Sequence, residues 1–298
     1  MAILMDFSSV AMASVMVRLK EVENDLELVR GMIFNTIRKY NVMHRDQFGE
    51  MVIVFDSKSN WRRDYFPEYK ASRRKNRKAS DHDWKAIFQI IDEVRDDVVN
   101  RSPYKTILVE NYEADDVIGA ICALKEDFEP ILILSPDHDF IQLHQYNNVK
   151  QYSNTQKKWV VCDDNPLSDL EVKVMKGDSG DGVPNVLSED DALICESKRQ
   201  VPLTKKKLEM LREDPEALGT TVARRIIRNR TLIDLSRTPE EGKHESMKQF
   251  ETSAKGSIMS LMTLFTKHSM SMMMSSLQDF EVKSPKSGGL QAFMNSSK

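Results

Sequence analysis

Short apolar runs alternate with amphipathic stretches along the first part of the chain. Runs rich in β-branched residues predict strands at 2–5, 52–55, 106–109, 131–134 and 159–161. Apolar residues recur at spacings of three and four, which predicts helices with one buried face, at 26–37, 84–98 and 117–124. This alternation is typical of an α/β fold in which a mostly parallel sheet is flanked by helices.

The strand signals stop after residue 165, and the remaining patterns are helical. Helices are predicted at 167–176, 205–212 and 222–230, with a loop rich in Gly and Asp at 177–185. We therefore divide the chain into an α/β core at 1–165 and a helical region at 166–298. The Met-rich segment 257–277 is interpreted as a helix whose methionines fill irregular gaps, and the alternative is an adaptable partner surface. Residues 283–298 are expected to form a mobile tail.

Composition limits the class of protein and its compartment. No apolar run reaches the roughly 18 residues that cross a bilayer, and the start MAILMDFSSV predicts a first strand rather than a signal peptide. Cys122, Cys162 and Cys195 lie far apart and lack zinc spacing, which favours a reducing, intracellular setting. The net charge of −3 is uninformative. The distribution of charge is informative, because basic residues concentrate between Arg62 and Lys78 while acids cluster elsewhere.

Acidic residues follow the ends of the predicted strands and fill the Gly-rich loop. They are Asp6, Asp56, Glu113, Asp115, Asp116, Asp137, Asp139, Asp178 and Asp181. Each alone could be a turn residue or a helix cap. Because the carboxyl ends of parallel strands share one edge, however, the carboxylates should converge and repel one another unless cations bind. Oxygen ligands without histidine favour Mg²⁺ or Mn²⁺ over zinc, and two such ions suit hydrolysis of a phosphodiester.

The basic segment from Trp61 to Lys78 begins shortly after Asp56. Its basic residues are interleaved with four aromatic ones, Trp61, Tyr65, Phe66 and Tyr69. Such a mixture is typical of single-strand nucleic-acid binding, where bases stack and phosphates pair, and the alternative is a solvated surface loop. A basic arm beside an acidic metal site predicts a nuclease.

Five motifs occur in order over residues 3–185: MDFSS, IVFDSKSNWRRDYFPEYK, EADD, SPDHDF and KGDSGDGVPN. In these motifs the chain resembles the phage and bacterial 5′-nucleases of the flap endonuclease type, and within them the T-even phage branch. The resemblance implies a PIN-like core and a C-terminal helix–three-turn–helix element that grips duplex DNA. It implies 5′-to-3′ removal of RNA primers and 5′ flaps from nicked or forked DNA and RNA–DNA duplexes during lagging-strand replication.

The resemblance also implies roles for individual residues and partners. The first of two Mg²⁺ ions, replaceable by Mn²⁺, would be held by Asp6, Asp56, Asp115 and Asp137. The second would lie near Asp139, Asp178 and Asp181, with Glu113 between the two ions and Asp116 completing the set. Arg62 and Lys70 would act at the scissile phosphate, and DNA would be bound by Arg63, Arg73, Arg74, Lys75, Arg77 and Lys78. A monomer in the cytoplasm of a bacterial host, meeting a single-strand-binding protein and a sliding clamp, is expected.

One departure and three rival functions remain. In many family members a Gly-rich hairpin follows the loop at 177–185, which we call the acidic loop; here NVLSEDDALICESK replaces that hairpin. The basic residues at 205–207 and 224–230 are predicted to bind duplex phosphates in its place, and the alternative is that they form solvated helix faces. A haloacid-dehalogenase-like phosphatase would need a second Asp where Asp6-Phe7-Ser8 has a serine. A non-catalytic replication factor would tolerate loss of acids. A PIN-type ribonuclease would need fewer acids.

Overall fold

The computed structural model describes residues 1–16, 25–78, 80, 82–125, 129–253 and 256–282. Within them the chain forms one sheet whose strands are β1 Ala2–Asp6, β2 Glu50–Phe55, β3 Lys105–Leu108, β4 Ile131–Leu134, β5 Val149–Ser153 and β6 Lys158–Val160. The strand order is β3-β2-β1-β4-β5-β6, with β1 near the centre. All pairs are parallel except β5 with β6, which confirms the predicted mostly parallel sheet.

Helices cover this sheet and make up the regular structure described after residue 165. The α-helices are Phe7–Met16, Leu26–Phe48, Trp61–Tyr65, Ala71–Lys78, Trp84–Arg101, Ala114–Leu124, Pro166–Lys176, Lys205–Glu213, Thr220–Ile233, Glu240–Thr252, Ile258–Lys267 and Ser271–Ser275. Short 3₁₀-helices are His138–Gln145, Leu235–Arg237 and Leu277–Phe280. Among the described helices none is long and apolar enough to cross a membrane.

The two faces of the sheet are buried in separate cores, as a parallel sheet requires. On β1, Ile3 and Met5 face a core that includes helices Leu26–Phe48 and Trp84–Arg101. The alternate residues of β1 face a second core with helix Ala114–Leu124. Since both faces are covered, the strands can present polar side chains to solvent only at their ends.

A third core joins the helical region to the basic segment. Phe66 and Tyr69 are each 4% exposed and pack with apolar residues of helices Pro166–Lys176 and Thr220–Ile233. Trp61 is partly buried against the second core, whereas Tyr65 is 49% exposed. Three of the four aromatics therefore anchor the segment to the protein, and Tyr65 is the one of the four that is exposed enough to stack on a base.

The local sequence explains where helix Pro166–Lys176 begins and ends. The Asn165 side chain accepts hydrogen bonds from the first-turn amides, and proline at the first position already has the helical φ. Gly177 ends the helix at a φ of 71°, where a Cβ would lie 2.3 Å from the Val183 carbonyl oxygen. Residues 184–204 then form no helix, and the next one is Lys205–Glu213. In the predicted helix–three-turn–helix element, a second helix would directly follow the loop at 177–185. Here a segment without helix separates that loop from the next helix.

Some elements were missed because their patterns are weak. β5 has the polar sequence VKQYS, and helix Phe7–Met16 is built of small, apolar and Ser residues without helical spacing. The Met-rich segment forms two short helices and a 3₁₀ turn that bury Phe265 and Met273, while Met272 is 67% exposed. Its packing interpretation is thus confirmed for the inward face. The predicted tail at 283–298 lies outside the described residues, and the division at residue 165 stays a prediction.

Candidate active site

Four carboxylates meet at the carboxyl edge of the sheet. Asp6 is the last residue of β1, Asp56 directly follows β2, and Asp137 follows β4. Because β1 pairs with both β2 and β4, these strand ends are neighbours at the point where the strand order reverses. Asp115, in the first turn of helix Ala114–Leu124, lines the same cleft. We call Asp6, Asp56, Asp115 and Asp137 the open group.

Backbone and hydroxyl donors orient members of the open group. Asp6 accepts hydrogen bonds from the Ser9 amide at 3.1 Å and the Ser135 hydroxyl at 3.2 Å. Asp56 accepts one from the Ala114 amide at 2.8 Å, which ties the end of β2 to the start of a helix. These neutral donors hold the side chains in position without supplying a positive charge.

The open group is electrostatically unbalanced. Burial, and after it the charge of Asp56, raises the pKa of Asp6 to about 6. Burial, followed by the charges of Asp6 and Asp137, raises the pKa of Asp115 well above its usual value. In the part of the chain that the structure describes, no Lys or Arg forms an ion pair with these four residues. A hard cation with oxygen ligands fits this environment, since it would relieve the repulsion.

A second set of carboxylates does have basic partners, and we call it the paired group: Glu113, Asp139, Asp178 and Asp181. Lys70 Nζ lies 2.5 Å from Glu113 and 3.6 Å from Asp181. Lys173 Nζ contacts Asp139 and lies 3.0 Å from Asp178. Arg73 pairs with Asp181 at 2.5 Å.

Burial and partners compete in setting the acidities of the paired group. Burial alone would raise the pKa of Glu113, but the charges of Lys70 and Arg62 hold it at about 2. For Asp139 burial prevails, and its pKa rises to about 6 in spite of Lys173. The two groups therefore differ in charge balance although they lie at one edge of the sheet.

The base of the basic segment is attached to the acidic loop. The Lys70 amide donates to the Asp181 carbonyl oxygen at 2.7 Å, with Lys70 at a φ of 57°. The Tyr69 hydroxyl lies within hydrogen-bond distance of Glu113 at 2.8 Å and of Asp181 at 3.0 Å. Gly182 has a φ of 75°, and a Cβ there would lie 2.8 Å from the Glu68 carbonyl oxygen. This close approach explains the third glycine of the loop.

Two predicted site residues lie in the core instead of the cleft. Asp116 is completely buried and accepts hydrogen bonds from the Arg62 guanidinium at 2.7 Å, the Trp61 indole at 3.2 Å and the Thr238 hydroxyl at 2.7 Å. Arg62 is 2% exposed and also donates to a backbone carbonyl. A metal role for Asp116 would break this buried pair, so we correct that prediction: Asp116 supports the site. Arg62 also lies 3.5 Å from Glu113 and lines a small pocket with Asp139 and Asp178, so its phosphate role stays a prediction.

The open group and the basic segment line one cleft of about 670 Å³. Lys70, Arg73 and Arg77 lie there with the four carboxylates, whereas Arg63 is exposed but does not line the cleft. The side chains of Arg74, Lys75 and Lys78 lie outside the described residues. Within the described ranges, no three acidic, His or Cys side chains are already close enough together to hold a metal ion, and the carboxylates line an open cleft.

The basic residues beyond the acidic loop are divided between two environments. Arg228 is buried against Asp190, and Arg230 pairs with Glu171 at 2.6 Å. These arginines stabilise the helical region. Helix Lys205–Glu213, by contrast, begins with exposed lysines at 205 and 206. Arg224 is exposed as well, so both predicted substitutes for duplex binding present some charge at the surface.

Sequence reasoning did not single out two polar residues of the site, Lys173 and Ser135, and it gave a third, Tyr69, a different partner. Lys173 approaches Asp178 from the end of the preceding helix, Ser135 contacts Asp6, and Tyr69 contacts acids instead of bases. The only sequence signal for Lys173 is its place on the last turns of the helix that leads into the acidic loop. Ser135 offers the signal of a polar residue directly after a buried strand.

A parallel sheet with carboxylates at its carboxyl edge and a basic segment beside them is the arrangement expected of a nuclease, and comparisons with known proteins give the class, the 5′-nucleases. Residues 3–169 match the family model of the 5′-3′ exonuclease N-terminal resolvase-like domain. Residues 165–280 match the model described as T4 RNase H, C terminal. The chain belongs to the 5′-3′ exonuclease family, and it is therefore a nuclease and not a haloacid-dehalogenase-like phosphatase.

Individual relatives support this assignment. The chain is 35% identical to the ribonuclease H of Enterobacteria phage T4 over 251 residues, which is 80% of this chain and 82% of that protein. It is 30% identical to a 5′-3′ exonuclease of Buchnera aphidicola over 55% of this chain and 56% of that protein. The fold is similar to that of the bacteriophage T5 D15 flap endonuclease in a product complex with DNA and metal ions, with a TM-score of 0.59, 15% identity, and 84% of this chain and 98% of that chain covered.

Proposed function

We propose that this nuclease hydrolyses phosphodiester bonds near 5′ ends in nicked or forked duplexes, and so removes RNA primers and 5′ flaps during lagging-strand synthesis. The observation that carries the proposal is the open group, four carboxylates with no basic partner among the described residues, beside a basic segment. The names of the relatives support it: a 5′-3′ exonuclease for the polarity, a ribonuclease H for the RNA strand and a flap endonuclease for the flap.

The cofactor that we propose is a pair of Mg²⁺ ions, with Mn²⁺ as a substitute. Asp6, Asp56, Asp115 and Asp137 would hold the first ion, and Asp139, Asp178 and Asp181 the second. Bound there, the ions would supply an activated water and a counter-charge for the phosphoryl oxygens. Solved T5 relatives that hold metal ions support a metal-dependent site.

The remaining chemistry belongs to side chains of this protein. Lys70 is 11% exposed and lies between Glu113 and the open cleft, so its ammonium is placed to contact a phosphate that approaches the acids. Arg73, which is 46% exposed, would hold the next phosphate along the strand. Tyr69 and the Lys70 amide keep this basic pair in register with the acidic loop.

The test uses a nicked duplex and a forked duplex, each with a 5′-labelled strand of either RNA or DNA. We expect short labelled products in Mg²⁺ and none in EDTA. The control is a blunt duplex that carries the label at a 3′ end instead, and equal release of short products from it would contradict the 5′ preference. Tight binding of the fork without cleavage in Mg²⁺ or Mn²⁺ would favour the non-catalytic replication factor. Cleavage of single-stranded RNA alone would favour the PIN-type ribonuclease.

A further inference from the structure

Lys173 stands between two carboxylates that come from different parts of the chain. Its ammonium contacts Asp139, which follows β4, and lies 3.0 Å from Asp178 in the acidic loop. The lysine side chain is 28% exposed, and the two acids are 20% and 24% exposed. A single positive charge therefore joins two elements in a partly buried setting, where it is weakly screened.

The position of this ammonium coincides with the place where the proposed function needs a second cation. Both partners of Lys173 are acids that we propose as ligands of that ion, so the inference rests on the proposed function. A monovalent ammonium and a divalent ion cannot both occupy the space between the same two carboxylates at contact distance. The open group differs, because no described Lys or Arg pairs with it.

We propose that Lys173 is a built-in counter-ion for Asp139 and Asp178, which holds the acidic loop against the end of β4 and competes with the second divalent ion. The lysine makes the second ion bind more weakly than the first, because that ion must displace an existing ion pair. It also holds this half of the site together when no metal is bound. Lys173 is thus a positioning residue that sets the metal requirement of the nuclease.

The test measures Mg²⁺ binding to the full-length protein by titration calorimetry, without DNA. In Lys173→Met, we expect the weaker Mg²⁺ site to bind about tenfold more tightly, as loss of one competing charge near a partly buried site predicts. Lys173→Arg keeps the charge and should leave that affinity nearly unchanged. Lys176→Met is the matched control, because it removes an exposed lysine from the same helix.

A second readout separates this role from a general effect on folding. In EDTA, Lys173→Met should melt at a lower temperature than the wild type, and saturating Mg²⁺ should remove most of that difference. A difference that persists in Mg²⁺ would overturn the counter-ion role. Mg²⁺ affinity that is unchanged or weaker in Lys173→Met would overturn it too.

The wild type distinguishes failure of this inference from failure of the proposed function. If the wild type binds Mg²⁺ and only the expected change in Lys173→Met is missing, the inference alone is wrong. If the wild type binds neither Mg²⁺ nor Mn²⁺, the proposed cofactor is wrong, and the proposed competition between Lys173 and a second divalent ion is wrong as well.

Discussion

The open and paired groups of carboxylates lie at the same edge of one sheet but differ in how their charge is balanced. In the open group, burial and the charge of Asp56 raise the pKa of Asp6. Burial and the charges of Asp6 and Asp137 raise the pKa of Asp115 against the weaker effect of Lys70. In the paired group, Lys70 holds the pKa of Glu113 at about 2 against the effect of burial. The protein's own basic residues thus form ion pairs with the paired group, whereas none of the described ones does so with the open group.

This difference teaches that the number of acids in a cleft is a poor guide to the role of each. Asp115 and Asp116 are adjacent in sequence, yet Asp115 lines the cleft while Asp116 is buried against Arg62. Helical geometry separates them by about 100° around the axis. The same residue type therefore lines the cleft at one position and supports the fold at the next.

The largest effect that we expect is on cleavage, from a change in the open group. Asp137→Asn should lower the single-turnover rate on a nicked duplex by about a thousandfold, because it removes a proposed metal ligand. DNA affinity, measured by anisotropy in Ca²⁺, should change little. Asp164→Asn, at an exposed position after β6, is the control. Substantial turnover in Asp137→Asn would remove this residue from the proposed ligands.

The next effect is on stability and has opposite signs at two neighbouring positions. Asp116→Asn should lower the free energy of unfolding by about 3 kcal/mol, because it leaves the Arg62 charge buried without its partner. Asp115→Asn in EDTA should leave that free energy unchanged or raise it, because it relieves repulsion within the open group. Urea titrations measure both, and an equal loss in the two variants would contradict the distinction between core and cleft.

A smaller effect is expected from the basic partner of the paired group. Lys70→Met should slow cleavage by about tenfold to a hundredfold, since it removes a positive charge beside the reacting phosphate. It should also reduce the slope of log Kd against log salt concentration by about one. Lys58→Met, which removes an 84% exposed lysine, is the comparison. An unchanged rate in Lys70→Met would restrict Lys70 to balancing Glu113.

The smallest effect concerns pH and isolates one member of the open group. The folded pKa of Asp6 is raised to about 6 from an ordinary 3.8, so the folded protein holds more protons than the unfolded chain between these values. The contribution of the Asp6 carboxyl group to the free energy of unfolding is therefore present at pH 4 and is lost as the pH rises through about 6. Burial lowers the pKa of His44 to about 4, which acts with the opposite sign.

The contribution of His44 cancels when the melting temperature of the Asp6→Asn variant is subtracted from that of the wild type. In EDTA, the melting temperature of the wild type minus that of Asp6→Asn should fall between pH 4 and pH 7. Mg²⁺ at pH 7 should raise the melting temperature of the wild type more than that of the variant, because the ion replaces the lost proton. A flat difference curve would show that Asp6 titrates near its ordinary value.

The sequence by itself determined the class of fold and the chemistry of the site. Apolar runs buried on both faces, separated by amphipathic helices, have few solutions besides a parallel sheet covered on both sides. Acids placed just after such strands must converge, because the carboxyl ends of parallel strands share an edge. Hence Asp6, Asp56 and Asp137 could be predicted, whereas the class of nuclease rested on the resemblance of the five motifs to a known family.

Only the tertiary structure decided which charges remain available. Arg62 and Asp116 satisfy each other in the core, Tyr69 points at acids, and Lys173 reaches Asp139 from a helix far along the chain. No local pattern contains these pairings, because they depend on how the helical region packs against the sheet. Whether a charged side chain serves binding or folding depends on the partners that burial brings to it, and those are set by long-range packing.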